Sequence, residues 1–359
     1  MSGKKRESNF ELLRIVAMLM IIFDHICQHT PDIFVDKDSW WIFVQSGFLW
    51  LGSIGNYCFM LISGWFLSKS AFTWKKWLLL YAEYWFYTAV FGTFVFCLGK
   101  SSLPALIKCF LPMCAGGNWY MRAYLIFFLF LPFLNRILPS LSRRDHFWLC
   151  VLLFAIGNVY TNIPRVPFSV SRVFPFFTAF FVGSYVRLYS PRIFENQKRN
   201  VTFAVLIFCF FIVWMILVKW TGEIIPIVHK KQTGLYAITS GGLSTVLPFA
   251  FAFSLLLVFK NIKMPSIKAI NTLGSTVPAF YLIHTQKDFG RVIWHILAKM
   301  VGENPPPSKF FLCAAALAFA TFFACAAVDL VRQRLLERPL AKCADRIDRF
   351  VRAKTAPSR

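Results

Sequence analysis

The sequence predicts an all-α protein, a polytopic bundle of about ten transmembrane helices with both termini in the cytoplasm. Of its 359 residues, 57% are apolar, 18% are aromatic and only 15% are charged, so a soluble fold would leave a large apolar surface in water. About ten helices of ~20 residues each, joined by short loops, account for the whole length. We therefore predict one domain over residues 1–359, with a membrane bundle at about 10–331 and a basic cytoplasmic tail at 332–359.

Ten apolar segments follow one another along the chain, separated by short polar or basic connections. The first begins after Lys4, Lys5 and Arg6, carries Arg14 and has no small-residue cleavage site behind it, which favours an uncleaved first helix over a signal peptide. The fifth and sixth segments are short for a bilayer. The predicted spans are residues 10–29, 41–67, 77–98, 118–138, 146–159, 173–188, 201–218, 236–259, 269–286 and 310–331.

Basic residues between the spans indicate the orientation. When the connecting segments are assigned to alternating sides, the side of the N-terminus carries 25 Lys and Arg residues and the opposite side carries 11. Cytoplasmic connections of membrane proteins carry this excess of positive charge. Both termini are therefore expected in the cytoplasm, which requires an even number of spans, and the segment with Asp32, Asp36 and Asp38 is expected outside.

The formal net charge of +23 does not indicate nucleic-acid binding. The basic residues punctuate apolar runs, which is typical of orientation signals and of attraction to anionic lipid headgroups, at ~1 kcal/mol for each basic residue near the surface. The expected partner is the lipid bilayer.

The ten cysteines form no CxxC pair and have no spacing with histidine that suits zinc, so we expect no metal site. Most of them lie inside apolar runs, as small core side chains do. Cys109 and Cys114 share one loop and could pair if that loop faces an oxidising compartment.

The tail, residues 332–359, alternates basic and apolar side chains. This pattern is typical of an amphipathic helix on the inner headgroup layer, here broken near Pro339. A solvated cytoplasmic tail is an equally good interpretation of the same residues.

Ionisable side chains concentrate in the first span. In lipid such a group costs several kcal/mol unless it faces a cavity or a partner, so each is a functional candidate. Arg14 and His25 are 11 residues apart, which at ~100° per residue places them within ~20° of one helix face and ~16 Å apart along the axis. Asp24 lies ~80° from that stripe and could orient an imidazole or pair with a basic residue. The alternative is that Arg14 extends to the inner surface while His25 caps the outer end.

Other polar residues of the spans are fewer. Glu83 lies about one and a half turns into the third span, where a carboxylate needs a partner or must stay neutral. Asn118 and Arg122 open the fourth span on one face, and Arg122 could bind a carbonyl, phosphate or carboxylate or act as an interfacial anchor. His284 ends an apolar run with Tyr281 one turn earlier, a position more typical of an interfacial residue than of a catalyst.

These residue types suit acyl transfer. A histidine can accept the proton of a hydroxyl as that hydroxyl attacks an ester or thioester. A carboxylate beside it would fix the tautomer and stabilise the imidazolium. An arginine could recognise the phosphates or the carbonyl of an acyl donor. A proton-coupled transporter would also place Asp, His and Arg inside a bundle, so the pattern alone leaves both classes open.

Several segments resemble the acyltransferase-3 family of bacterial membrane acyltransferases. The first span reads FELLRIVAMLMIIFDHI, with an Arg and a His at the separation that recurs in that family. Further similar segments, in order along nearly the whole chain, are LISGWFLSKS, NWYMRAYLIFFLFLPFLN, FPFFTAFFVGSYV and TVPAFYLIH. The NWY segment is similar to the polysaccharide-modifying branch.

The resemblance implies a ten-helix membrane fold in the bacterial cytoplasmic (inner) membrane. It implies transfer of an acetyl or similar short acyl group from a cytoplasmic donor such as acetyl-CoA to a hydroxyl of a surface polysaccharide or its lipid-linked precursor. Acetyl-CoA is then a co-substrate, and no permanently bound cofactor is expected.

The resemblance also implies roles for individual residues. His25 is the implied base or acyl-relay residue, and Arg14 is implied to contact the donor or to have a structural role. The residues themselves, rather than the resemblance, add Asp24 as the catalytic carboxylate candidate. Many members carry an arginine-rich motif early in the third helix, where this chain has only Lys75 and Lys76, which supply charge but not the bidentate guanidinium fork. The substrate-binding candidates are Asn118, Arg122, Glu83 and His284.

Two rival interpretations remain. A transporter or flippase of a lipid-linked sugar would use the same intramembrane polar residues as a passage. A different family of membrane-bound O-acyltransferases also uses a histidine flanked by apolar residues, and under that interpretation His284 would be the essential one.

Overall fold

The fold is described from a computed structural model that covers residues 6–29, 40–115, 118–160, 172–224, 246–302 and 305–355. Within these ranges the chain forms helices, turns and short irregular connections, without a β-strand. The predicted start of the eighth span at Tyr236 lies outside them, as does the acidic segment with Asp32, Asp36 and Asp38.

The α-helices are numbered along the chain. They are α1 (Ser8–His29), α2 (Trp40–Leu67), α3 (Trp74–Cys97), α4 (Leu103–Phe110), α5 (Trp119–Leu129), α6 (Leu131–Ile137), α7 (Arg143–Phe154), α8 (Phe174–Tyr189), α9 (Gln197–Ile224), α10 (Val246–Lys260), α11 (Lys268–His284), α12 (Lys287–Val301) and α13 (Pro307–Thr355).

Most predicted spans coincide with these helices, but two are interrupted. The predicted fourth span is divided into α5 and α6 at Phe130, just before Pro132, which cannot donate a backbone hydrogen bond. The predicted fifth span corresponds to α7 followed by a π-helical turn, Ala155–Val159. Two segments predicted as loops are helical, namely α4 and α12.

The tail differs most from expectation. Helix α13 continues through Pro339 to Thr355, so the predicted break near that proline is wrong. The tail packs along α3, where Lys75 Nζ lies 2.8 Å from Asp345 Oδ2 and the backbone N–H of Trp74 donates to Asp348 Oδ1 at 2.8 Å. Since these contacts hold the helix beyond the proline, the loss of one backbone hydrogen bond does not end it.

Helix α1 occupies the centre of the bundle. It packs along α2 and against α11, with further contacts to α10 and α13. Its residues Leu13, Ala17 and Ile22 are completely buried. The helix that carries the ionisable cluster is thus surrounded by protein on most of its faces, which is where a membrane bundle can accommodate such groups.

Glycines allow the central helices to approach closely. A Cβ added to Gly55 of α2 would lie 2.5 Å from the carbonyl oxygen of Ala17 in α1. Between α2 and α8, a Cβ on Gly64 would lie 2.6 Å from the Ala179 oxygen, and one on Gly183 would lie 2.5 Å from the Leu61 oxygen. Small residues at such crossings are characteristic of helix packing in membranes.

The outer surface of the bundle is apolar. Leu312 is 73% exposed, and a row of large apolar side chains on α9 is exposed as well. By length and composition, four helical stretches of the described chain could cross a membrane, with Val246–Lys260 as a shorter apolar helix. They are Trp74–Cys97, Trp119–Ser140 (which includes α5 and α6), Gln197–Trp214 and Ser308–Lys354. An apolar surface of this extent requires lipid rather than water as its solvent.

Candidate active site

Two histidines from distant parts of the chain meet between α1 and α11. His25 Nδ1 lies 2.9 Å from His284 Nε2. His284 Nδ1 lies 2.8 Å from the carbonyl oxygen of Phe280, one turn earlier in α11. His284 is 1% exposed, whereas 21% of the His25 side chain is exposed. His25, which was predicted as the base, and His284, which was predicted to bind substrate, therefore form one hydrogen-bonded pair.

Asp24 contacts His25 less closely than the predicted orienting role requires. Its Oδ2 lies 4.0 Å from His25 Nε2, beyond hydrogen-bonding distance. The Gln28 amide donates to both carboxylate oxygens of Asp24, at 3.0 and 2.9 Å. On the other side the Asp24 carboxylate packs against Gly52, where any Cβ would collide with it. The carboxylate is thus held near the imidazole without a hydrogen bond to it.

Arg14 lies three turns before His25 and is paired with Glu11. Arg14 Nη1 is 2.5 Å from Glu11 Oε1, and the same oxygen lies 3.3 Å from Arg6 Nη1. The Arg14 guanidinium also lies over the Phe66 ring, 5.4 Å from its centroid. Glu11 is 4% exposed, and its Oε2 has no hydrogen-bond partner. Glu11, which the sequence did not single out, positions the arginine.

Two cavities adjoin Arg14. The entrance cavity, about 400 Å³, lies at the N-terminal end of α1. The inner cavity, about 160 Å³, continues between the helices. Arg14 and Pro278 line both. The other lining residues of the entrance cavity are Arg6, Glu7, Glu11, Phe66, Gly274 and Ser275. Those of the inner cavity are Met18, Ile21, Asn56, Phe59, Ser63, Leu80, Tyr120, Met121, Tyr124, Val277 and Tyr281.

The inner cavity leads toward the histidine pair. Arg14, Met18 and Ile21 line it from α1, and His25 is the next residue of that i, i+4, i+7, i+11 stripe. On α11, Tyr281 lines the cavity one turn before His284. The two helices that form these walls therefore carry the histidine pair about one turn beyond the cavity.

Asn56 offers an unused polar group inside the inner cavity. Its Oδ1 is buried and has no hydrogen-bond partner, although the residue lines the cavity. A buried acceptor without a partner costs about 1–3 kcal/mol, so a ligand with an N–H or O–H group would be favoured there. The sequence reasoning missed this residue because a single asparagine in an apolar span, between Gly55 and Tyr57, carries no distinctive spacing.

Asn118 lies beside the pair. Its side-chain oxygen accepts from the backbone N–H groups of Tyr120 and Met121 and so caps α5. Its amide nitrogen donates to Thr285 Oγ1 at 2.7 Å, directly after His284 in the chain. The Arg122 backbone continues the same helix, with its N–H bonded to the Asn118 carbonyl at 3.2 Å.

The remaining predicted residues do not line either cavity. Glu83 belongs to a buried cluster between α3 and α13, where Arg332 Nη2 lies 3.3 Å from Glu83 Oε1 and Arg332 Nε lies 2.6 Å from Asp329 Oδ1. Lys75 is engaged by Asp345 of the tail. Lys76 donates to Ser70 Oγ and the Ala71 carbonyl. These three predicted donor or substrate residues thus have partners of their own outside the two cavities.

The two cysteines that share a loop in sequence, Cys109 and Cys114, are both free thiols. Cys109 instead packs against Gly92 of α3.

Of the comparisons with known proteins, one gives a match. The family model of the Acyl_transf_3 acyltransferase domain matches residues 7–328, from just before α1 into α13. No curated protein and no solved structure is similar enough to the chain to count as a match. The match covers most of the chain and includes α1 and α11, with both histidines, so the chain belongs to the acyltransferase-3 family and is a multi-pass membrane acyltransferase.

Proposed function

We propose that the protein moves an acetyl or similar short acyl group from a cytoplasmic acyl-CoA to a hydroxyl of a cell-surface polysaccharide or its lipid-linked precursor, in the bacterial inner membrane. The observation that carries the proposal is the stripe of Arg14, Met18, Ile21 and His25 on one face of α1. Its first three residues line two neighbouring cavities that share Arg14, and its last residue belongs to the histidine pair.

The entrance cavity suits the phosphates of the donor. Arg6 and Arg14 line it, and Arg187 Nη1 lies 4.0 Å from Glu7, another lining residue. Guanidinium groups bind phosphate through paired N–H donors. Because Glu11 and Glu7 already hold these arginines in place, the donor would meet a preorganised cationic rim.

The inner cavity suits the pantetheine arm of an acyl-CoA donor rather than its nucleotide. It is narrow, and its walls are mostly aromatic and aliphatic. The unpaired Asn56 oxygen can accept from an amide N–H of a pantetheine arm. A thioester at the end of such an arm would then lie below the histidine pair.

In the proposed reaction the acyl group passes directly from the thioester to the acceptor hydroxyl. The acceptor hydroxyl gives its proton to His25 while its oxygen attacks the thioester carbonyl. The C–O bond of the new ester forms, the C–S bond breaks, and the departing thiolate recovers the proton from the imidazolium. Asp24, 4.0 Å from His25 Nε2, favours the transient positive charge on the ring.

The test uses the purified full chain in lipid vesicles. Isotopically labelled acetyl-CoA is supplied on one side, and lipid-linked glycans from the source envelope are included in the membrane. We expect the label to appear in the glycan, found by mass spectrometry as one acyl increment, with one free thiol released per increment. Movement of unmodified glycan across the membrane without thiol release would contradict the proposal and favour a flippase.

A further inference from the structure

A short hydrogen-bonded chain links a backbone carbonyl to His284 and then to His25. A carbonyl oxygen can only accept, so the 2.8 Å contact between Phe280 O and His284 Nδ1 requires a proton on that nitrogen. A neutral imidazole carries one N–H, and the Nε2 of His284 therefore presents a lone pair.

The same logic fixes the protons of His25. Its Nδ1 lies 2.9 Å from His284 Nε2. Because that Nε2 presents a lone pair, Nδ1 of His25 must carry the shared proton. The neutral His25 ring then has its own lone pair on Nε2. If His284 Nε2 carried the shared proton instead, His284 would be protonated on both nitrogens. Its ring, which is only 1% exposed, would then be charged. No carboxylate of the described residues contacts that ring, so the charge would be buried without compensation.

The surroundings of His25 leave Nε2 available. The nearest carboxylate oxygen, Asp24 Oδ2, is 4.0 Å away, and both oxygens of Asp24 accept from Gln28. The ring is partly exposed, in contrast to His284. A hydroxyl group can therefore reach the one nitrogen that can take its proton.

We propose that His284 is a positioning residue that fixes the tautomer of His25, so that Nε2 of His25 is the proton acceptor of the transfer. This inference rests on the proposed function. During the step His284 keeps its own proton, bonded to Phe280 O, and its Nε2 continues to accept from Nδ1–H of His25. The proton that moves is the hydroxyl proton, which goes to Nε2 of His25 and then to the departing thiolate.

Three substitutions of one residue separate this role from a structural one. The amide oxygen of glutamine reaches the position of an imidazole Nε2, whereas asparagine reaches only that of Nδ1. His284→Gln should therefore keep transfer within about tenfold of wild type, while His284→Asn and the apolar His284→Phe should lower kcat by about 100-fold or more, the range of a lost general base. The KM for acetyl-CoA should change little in all three variants, because His284 does not line the donor cavities.

Two results with the variants would overturn the inference. The first is an equal loss of kcat in His284→Gln and His284→Phe when both proteins melt at the wild-type temperature. The second is a wild-type kcat in His284→Phe. Solid-state NMR of ¹⁵N-histidine-labelled wild-type protein in vesicles reads the tautomer without any variant or substrate. We expect His25 as the Nδ1–H form, and a protonated Nε2 with a bare Nδ1 would also defeat the inference. If the tautomer is as stated but no acyl group is transferred, the proposed function fails and the proton assignment stands.

Discussion

Asp24 and His25 are neighbours in the chain but have different partners in the fold. His25 is oriented by another imidazole, and Asp24 is held by Gln28 at a distance from which it acts through charge alone. The sequence could place Arg14 and His25 on one face, because both belong to one helix with a known rotation per residue. It could not reveal that His284, 259 positions away, completes the pair, since the packing of α1 against α11 leaves no periodic signal.

The carboxylate near the imidazole should affect the rate more than binding. Asp24→Asn keeps the size of the side chain and one acceptor for Gln28 but removes the negative charge near the imidazolium. We expect kcat for acyl transfer to fall by about tenfold, a loss of ~1.4 kcal/mol, with an unchanged KM for acetyl-CoA. Steady-state kinetics in vesicles measures both, and a raised KM with a normal kcat would show that Asp24 binds the donor instead.

Arg14 should matter through the shape of its guanidinium as well as its charge. Arg14→Lys keeps the charge but loses the fork that can bind a phosphate while Glu11 holds the other side. We expect the KM for acetyl-CoA to rise by about tenfold, with a smaller effect on kcat. Arg136→Lys, at an exposed arginine of α6 that lines neither cavity, is the matched control and should change KM by less than twofold. Equal effects of the two substitutions would contradict the special role of Arg14.

At the scale of the element, the apolar runs predicted most helix positions, because a membrane span needs ~20 apolar residues and such runs are conspicuous. Helix α4 has eight residues, too few to give that signal. Helix α12 includes His295 and several charged residues, so its pattern resembles a polar loop. The end of α13 was misjudged for another reason, since the contacts of the tail with α3 join segments about 270 residues apart.

The crossing of α2 and α8 should tolerate added volume poorly. In Gly64→Ala the new Cβ would meet the backbone of α8, which cannot move without displacing the helix. In Gly92→Ala it would meet the side chain of Cys109, which can rotate away. We expect Gly64→Ala to lose about 1–3 kcal/mol of stability, seen as a lower melting temperature of the solubilised protein. A larger loss for Gly92→Ala would show that the α2–α8 contact is looser than described.

At the scale of the whole molecule, an apolar exterior surrounds a bundle in which several ionisable groups pair with one another or line the cavities. The buried pairing of Arg332 with Asp329 and Glu83 fastens α13 to α3, and the tail beyond it continues along α3. The donor entrance lies at the N-terminal end of α1. If the N-terminus is cytoplasmic, as the basic residues indicate, the entrance opens to the compartment that holds acyl-CoA.

Two exposed cysteines provide a test of this orientation. Cys114 lies in the connection between α4 and α5, on the predicted outer side, and Cys343 lies in the tail. A membrane-impermeant maleimide added to spheroplasts should label Cys114 and not Cys343, whereas both should react after permeabilisation. Cys114→Ser and Cys343→Ser identify the two signals by mass spectrometry. Labelling of Cys343 from outside would place the tail, and with it the donor entrance, on the outer side of the membrane and would contradict the predicted orientation.

The most direct test of the central claim, that the stripe ending at His25 carries out acyl transfer, is the turnover of His25→Ala in vesicles with acetyl-CoA and lipid-linked glycan. We predict a loss of kcat of at least about 100-fold, with the melting temperature and the affinity for acetyl-CoA close to those of wild type. Transfer at the wild-type rate by a folded His25→Ala protein would contradict the account.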